Sequence, residues 1–211
     1  MTGNVADRGT PPEHSSRGLN SRAAVRGRVN ELIVHRLSAS TSSARALRAQ
    51  LRGALGKEVG TVPAIWDLTL DDYSEYLEPT YGEKATHAAL TLWALHQGSN
   101  VQPMHDASEQ PRRFASAIRL IAEKQRGDKF PEETPIYRRF VAAVRAPTFE
   151  GLLVHLRSLV SQLEAAEIPC DYGQLAADLF TWQYPSYRSS VMRRWGREFA
   201  RFIKSTDTDD K

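Results

Sequence analysis

The chain has 211 residues, 41% of them hydrophobic and 25% charged, which is ordinary for a folded soluble protein and excludes global disorder. Its net charge of +3 is too small to indicate a nucleic-acid partner by itself. One cysteine, Cys170, excludes an intrachain disulfide framework and fits a reducing cytoplasm, and the sequence shows neither a signal peptide nor an apolar run near the ~18 residues of a membrane span.

In chain order, the sequence predicts a disordered tail and then about nine helices. Residues 1–21 are rich in Gly, Pro, Ser, Thr and Asn, which leaves too little apolar surface for folding. Apolar residues then recur at helical spacing, and Thr134, Thr148 and Asp171 stand where helices would be capped. The predicted helices are Arg22–Leu37, Ala44–Leu55, Asp71–Leu77, Glu83–Gln97, Arg112–Arg126, one starting at Pro135, one from Thr148 to about Glu167, Tyr172–Trp182 and Pro185–Lys204.

Aromatic residues between the long helices are expected to be buried. Trp66 belongs to a predicted short buried turn, and Tyr73, Tyr76 and Leu77 should face inward from the short helix Asp71–Leu77.

We expect an all-α fold, because no stretch shows sustained alternation of apolar and polar residues. Gly98–Gln110 holds Gly, Ser, Asn, Pro and Asp and is the predicted linker. The sequence therefore predicts two small helical-bundle lobes with tails at both ends. Their bounds are 1–21 for the disordered tail, 22–106 for the N-terminal helical lobe, 107–204 for the C-terminal bundle and 205–211 for a second disordered tail.

Charge is distributed unevenly along the chain. Residues 188–204 carry six basic side chains and one acid, whereas residues 58–111 carry nine acids and one lysine. This pattern predicts separate basic and acidic faces after folding, and solvated helix surfaces without any partner would give the same pattern.

Arginines form ridges at helical spacing, opposite the apolar faces. On the last helix Arg193, Arg197, Arg201 and Lys204 group on one side, away from the apolar residues. A guanidinium can bind a phosphate through two hydrogen bonds, and arginines without acidic partners at i±4 suit a phosphate chain. High-GC codon usage, with arginine replacing lysine on solvent faces, would give similar ridges. The candidate nucleic-acid-binding residues are Arg22, Arg26, Arg45, Arg48, Arg52, Arg112, Arg119, Arg126, Arg138, Arg145, Arg193, Arg197 and Arg201.

Few residues suggest enzyme chemistry. The six histidines form no HExxH motif, and the chain has no Gly-rich phosphate loop, so we expect no cofactor and assign the histidines to core or surface roles. Cys170 should act as a small apolar residue. The best catalytic candidates are Asp71, Asp72 and Glu75, with Glu78, which could hold Mg²⁺ for phosphodiester cleavage. Asp71 and Asp72 also suit a helix N-terminus through the helix dipole.

Three segments resemble a known family in order and spacing over most of residues 44–202, while the first 40 residues match poorly. The segments are Ala46–Lys57 with Ile65–Trp66; Ala89–Gln97; and Ile168–Gln183 with Arg193–Phe199. In them the chain resembles the CasB-type small subunit of the type I-E CRISPR interference complex, Cascade.

The resemblance implies an all-α, two-lobed, non-catalytic subunit present as two copies that touch each other and the crRNA-bearing backbone subunits. It also implies a role in stabilising the R-loop by holding the target strand and the displaced non-target strand, with no membrane partner. The role is carried over without a residue list, since the family has no catalytic motif in these segments.

Two other functions remain open from the residues alone. A free-standing helical DNA-binding regulator would use the Ser38–Ser43 turn before Arg45 as part of a helix-turn-helix. A metal-dependent nuclease would use Asp71, Asp72 and Glu75.

Overall fold

The computed structural model of the chain describes residues 18–72, 74 and 76–201, and these residues contain nine α-helices and no strand. The predicted all-α fold with about nine helices is confirmed. The predicted tail 205–211 lies outside the described residues, as does the tail 1–21 apart from its last four residues. The helices are α1 (Arg22–Glu31), α2 (Ser42–Ala54), α3 (Trp66–Thr69), α4 (Tyr81–Gln97), α5 (Phe114–Gln125), α6 (Pro135–Val144), α7 (Phe149–Ala166), α8 (Tyr172–Trp182) and α9 (Pro185–Ala200).

Side-chain caps fix where several helices begin. The side-chain oxygens of Thr134, Thr148 and Asp171 each accept a hydrogen bond from the backbone N–H three residues on, at 3.3, 3.0 and 2.8 Å. Each bond satisfies an N–H that the first turn of a helix leaves without a backbone partner. All three predicted caps are confirmed.

Helices α4 and α8 form the centre of the molecule. Every residue of α8 is buried, and α4 is buried on most sides. α8 packs against α1, α4 and α9, while α4 also packs against α2 and α7. α5 and α6 complete the bundle against α7 and, for α5, α9. Helices from both predicted lobes share this core, and the division at residue 106 stays a prediction.

Helix α1 approaches α8 most closely at Gly173. A Cβ atom at that position would lie 1.9 Å from Oδ1 of Asn30, so a larger residue would displace the Asn30 side chain. Nearer the N-terminus of α1, Arg22 lies 3.5 Å from Asp178 in the middle of α8.

The predicted short helix Asp71–Leu77 is wrong for the part of it that the structure describes, and Tyr73 lies outside that part. Tyr76 and Leu77 are exposed rather than inward-facing, and Trp66 is 47% exposed rather than buried. Short helices are marginal without burial. The carboxylate of Glu83 also holds the segment at both ends, because its two oxygens accept hydrogen bonds from the backbone N–H groups of Asp71 and Thr80.

The first predicted helix is interrupted by a change of winding. After α1 the chain continues as a π-helix over Leu32–Leu37, which we call the π segment. Its end is marked by the hydrogen bond from Ser38 N to the Ile33 carbonyl, five residues back, at 2.9 Å.

The predicted linker Gly98–Gln110 is bound to the fold by hydrogen bonds. Cys170 N donates to the Met104 carbonyl at 3.2 Å, and Asp106 N donates to the Cys170 carbonyl at 3.1 Å. Met104 and His105 are buried. The segment between α4 and α5 is therefore fixed to the turn between α7 and α8.

Candidate nucleic-acid interface

Helix α9 presents the basic ridge predicted from its sequence. Its apolar side chains are buried in the core, while arginines spaced one turn apart remain exposed. The sequence also places Lys204 on the basic face and Phe202 on the apolar face. Both of these residues lie outside the described residues. The buried side chains are Val191, Trp195 and Phe199, and the exposed ones are Arg193, Arg197 and Arg201.

These arginines line a concave surface together with arginines from other parts of the fold. The concavity has a volume of about 720 Å³ and lies between α9, the N-terminus of α1, the residue before α5 and the start of α8. Gln174, Ser190 and Glu198 complete its lining. We call this surface the arginine groove, and its arginines are Arg22, Arg113, Arg193, Arg194, Arg197 and Arg201.

A buried carboxylate beneath the groove orients two of these arginines. Asp178 on α8 accepts hydrogen bonds from Arg194 Nη2 at 2.6 Å, Gln174 Nε2 at 2.6 Å and Trp195 Nε1 at 2.7 Å. Arg22 Nη2 lies 3.5 Å from the same carboxylate, whose side chain is 3% exposed. Asp178 therefore holds Arg22 and Arg194 in place, and the groove keeps a surplus of positive charge.

Asp171 performs a similar role at the N-terminus of α8. While Oδ1 caps the helix, Oδ2 lies 3.3 Å from Arg113 Nη1 and 3.4 Å from Arg26 Nη2. Arg26, one of the candidate residues, is thus held next to the groove without lining it.

The groove also contains one carboxyl group, that of Glu198, whose pKa is raised. Burial, with a further contribution from the negative charge of Asp178, raises the pKa of Glu198 from its ordinary 4.5 to about 7. The positive charges of Arg113, Arg194 and Arg201 lower it and offset part of this rise. Ionised Glu198 would repel a phosphate in the groove, and protonated Glu198 would not.

Glu198→Gln is expected to flatten the pH dependence of stability. Between about pH 4.5 and 7 the folded state binds more protons at Glu198 than the unfolded state, so this residue lowers stability as pH rises. Denaturant unfolding at pH 5 and pH 8 should show the variant gaining stability relative to the wild type at the higher pH. The exposed Glu58, changed to Gln, serves as the control for loss of one carboxylate at the surface. An identical shift in both variants would contradict the assignment.

A second basic surface is formed by α2. Arg45, Arg48 and Arg52 face the loop Gln97–Pro103 across a cleft of about 490 Å³, which we call the α2 cleft. Arg48 Nη1 donates to the carbonyls of Leu37 and Ala39, at 2.5 and 3.2 Å. Arg45 and Arg52 are exposed, and neither has a hydrogen-bond or ion-pair partner within the described chain.

The arginine groove and the α2 cleft lie at opposite ends of one helical rod. Arg22 begins α1 and lines the groove, whereas Ser38, directly after the π segment, lines the cleft. The sixteen helical residues from Arg22 to Leu37 correspond to roughly 24 Å at about 1.5 Å per residue. The candidate arginines thus form two separate clusters, with four in the groove and three in the cleft.

The arginine ridge predicted on α5 forms ion pairs within the protein. The expectation that its arginines lack acidic partners at i±4 is wrong for Arg119. Arg119 lies 2.7 Å from Glu123 and 3.0 Å from Glu132, and its side chain is only 13% exposed. Arg126 lies 2.7 Å from Glu123. These contacts neutralise much of the ridge's charge.

The remaining candidate residues lie away from both clusters. Arg112 lies at the α5 start and donates to the Pro169 carbonyl at 3.3 Å. Arg138 and Arg145 are exposed on and just after α6, and neither lines the groove or the cleft.

Reasoning from the sequence missed Arg113 and Arg194 as members of the groove. Both lie outside the one-face ridges drawn on their helices, and each contacts a buried aspartate of α8. Their signal in the sequence is the pairing of each with an adjacent candidate, in the doublets Arg112–Arg113 and Arg193–Arg194.

The acidic residues considered for a nuclease do not gather into a metal site where the structure describes them. Asp71 accepts a hydrogen bond from Leu19 N at 2.5 Å, and Glu75 lies outside the described residues. Within the described ranges, no group of three or more His, Cys, Asp or Glu residues could hold a metal ion.

The histidines and the cysteine near α8 belong to the core. His96 Nδ1 lies 2.8 Å from Tyr172 OH, and burial lowers the pKa of His96 to about 4. Cys170 is fully buried, and burial raises the pKa of its thiol. The predicted apolar role of Cys170 is confirmed.

Residues 47–199 match a protein-family model described as CRISPR-associated protein Cse2. No curated protein sequence is significantly similar to the chain. None of the helices described is both long and apolar enough to cross a membrane.

Solved structures share the fold. CasB from Thermobifida fusca is 30% identical, with a TM-score of 0.66, over 84% of this chain and 96% of that one. A CRISPR-associated protein of the Cse2 family from Thermus thermophilus is 22% identical, with a TM-score of 0.58, over 84% and 96%. A structure of CasB from Thermus thermophilus is 21% identical, with a TM-score of 0.57, over the same shares.

Proposed function

The chain belongs to the CRISPR-associated Cse2 family, and from this membership we propose that it is the non-catalytic small subunit of a type I-E interference complex, Cascade. In that complex it holds nucleic-acid strands by their phosphates and so stabilises the R-loop. Its partners are the other Cascade subunits, a second copy of itself, and the target and displaced DNA strands.

The arginine groove is the observation that carries this proposal. Six arginines from α1, α9 and the start of α5 line one concave surface, and two of them are oriented by Asp178. Arginine binds phosphate through two parallel hydrogen bonds, and preoriented guanidinium groups lose less conformational entropy on binding. Such a surface recognises the backbone of a strand without reading its bases.

An R-loop needs this kind of contact. The RNA–DNA heteroduplex is about as stable as the DNA duplex that it replaces, so a few phosphate contacts can tip the exchange. The α2 cleft supplies a second set of arginines roughly 24 Å from the groove. We assign the groove and the cleft to backbone contacts, and Arg119 and Arg126 to the structure of the bundle.

Reconstitution tests this function directly. The full chain, mixed with the other subunits and a crRNA, should co-purify with the complex and increase the fraction of target DNA held as an R-loop. Binding should weaken steeply with added salt and vary little with DNA sequence. A chain that fails to join a crRNA-containing complex, or that protects one defined operator instead, would exclude the proposal.

A further inference from the structure

A pocket rich in aromatic side chains lies beside the arginine groove. It has a volume of about 380 Å³, within the range of small-ligand sites, and it lies between the N-terminus of α1, the start of α4 and the turn from α8 to α9. We call it the tyrosine pocket, and its aromatic residues are Tyr76, Tyr81, Phe180 and Tyr184.

Some rings of this pocket are packed against each other, and others are exposed to solvent. The rings of Tyr81 and Tyr184 meet edge to face, with centroids 5.0 Å apart, and Phe180 packs against Tyr184 at 5.4 Å. Phe180 is buried, whereas Tyr81 is 41% exposed and Tyr76 is 79% exposed. Large exposed aromatic side chains clustered around a concavity are a feature of binding sites rather than of a solvated surface.

The tyrosine pocket and the arginine groove approach each other at the N-terminus of α1 and along α9. At the N-terminus of α1, Leu19 lines the pocket and Arg22 lines the groove. Along the last helix, Tyr184 lines the pocket and Ser190 lines the groove, six residues or about 9 Å further on. A single strand with phosphates in the groove therefore has the tyrosine pocket within reach of its neighbouring nucleotides.

We propose that the tyrosine pocket receives an unstacked base of a single-stranded nucleic acid whose phosphates lie in the arginine groove. This inference rests on the proposed function and adds to it the strand type, since a base inside a duplex is already stacked and paired. Stacking on tyrosine accepts any base because every base has a π-face, so the pocket favours single strands without reading sequence.

The polar residues at the pocket rim suit a base better than an apolar side chain. Asn20, Ser74 and Thr80 line the pocket alongside the rings. The hydroxyl oxygens of Ser74 and Thr80 already accept hydrogen bonds from the backbone N–H groups of Tyr76 and Glu83. Their O–H groups and the Asn20 amide would lose water under a purely apolar partner, whereas the carbonyl and ring-nitrogen acceptors of a base can replace it.

The test measures how much the bases of a strand contribute to affinity. Binding of the full chain at low salt is compared between an oligothymidine strand and an abasic strand with the same number of phosphates. The wild type should bind the oligothymidine strand about tenfold more tightly. Tyr76→Ala and Tyr81→Leu should remove that preference and leave binding of the abasic strand unchanged. Phe130→Leu, at a 75% exposed aromatic residue outside the pocket, is the control and should retain the preference.

The outcomes separate this inference from the function on which it rests. If both strands bind equally to the wild type, or if the tyrosine variants keep the preference, the tyrosine pocket does not hold a base. The proposed function, which rests on contacts with the phosphate backbone, is not contradicted by either result. If the tyrosine variants instead block association of two copies of the chain and leave the preference intact, the pocket is a protein interface and the inference is overturned. If neither strand binds at any salt concentration, both the proposed function and the inference fail.

Discussion

Replacing Arg193 and Arg197 with glutamate is expected to weaken single-strand binding by about a hundredfold at low salt. Both guanidinium groups are exposed on α9 and line the arginine groove, where neither has an acidic partner among the described residues. Two charge-assisted contacts at about 1.5 kcal/mol each correspond to a loss of about this size. Since the variant forms two fewer phosphate contacts, the slope of log K against log salt should fall by about 1.4.

The control for this variant is matched in charge. Arg139 and Arg157 are exposed on α6 and α7, away from the groove and the α2 cleft. Changing both to glutamate alters the net charge by the same amount and should reduce affinity only slightly through long-range electrostatics. Fluorescence anisotropy over a salt series measures both quantities. Equal losses in the two variants would mean that binding follows net charge and does not require the groove.

Asp178→Ala is expected to lower the free energy of unfolding by about 3–5 kcal/mol. The variant leaves the guanidinium of Arg194 and the indole N–H of Trp195 without the carboxylate that accepts from both at 2.6 and 2.7 Å. The loss combines the charge-assisted contact with Arg194, whose side chain is 29% exposed, and the desolvation cost of the buried Trp195 N–H left without an acceptor, at about 1.5–3 and 1–3 kcal/mol. Urea or guanidinium denaturation measures the loss.

Asp67→Ala is the control for that prediction. Asp67 also accepts a hydrogen bond from an arginine, Arg36, at 2.5 Å, but its side chain is 57% exposed against 3% for Asp178. Exposed ion pairs contribute about 0–1 kcal/mol, so this variant should unfold near the wild-type midpoint. A loss for Asp178→Ala no larger than the loss for Asp67→Ala would show that burial does not govern the strength of this contact.

The long helices were predictable because they satisfy local rules. Their apolar residues recur with helical period, and Thr134, Thr148 and Asp171 carry side chains that cap a first turn. The exposed ridge of α9 follows from the same geometry, since a buried face defines the opposite one.

The parts that the sequence did not predict depend on long-range contacts. Asp71 and Thr80 are both bound through their backbone N–H groups to the carboxylate of Glu83, and Tyr76, between them, is exposed. Arg119 contacts Glu132, thirteen positions away in the chain, which a ridge drawn on one helix cannot reveal, whereas its other partner, Glu123, lies at i+4 on the same helix and was predictable. Arg113 and Arg194 join the arginine groove because α8 brings two buried aspartates between helices distant in the chain.

The π segment Leu32–Leu37 determines how the geometry of the two basic surfaces responds to the number of residues between them. A π-helix holds one residue more than an α-helix can accommodate in the same turn. Deleting one residue from the π segment would return it to α-helical winding with its flanking turns in register, whereas deleting one residue from α1 would rotate everything downstream by about 100°. A change of chain length is therefore absorbed within the π segment, and the arginine groove and the α2 cleft keep their relative orientation. The same change within α1 would turn the α2 cleft away from the groove without altering any arginine of the cleft.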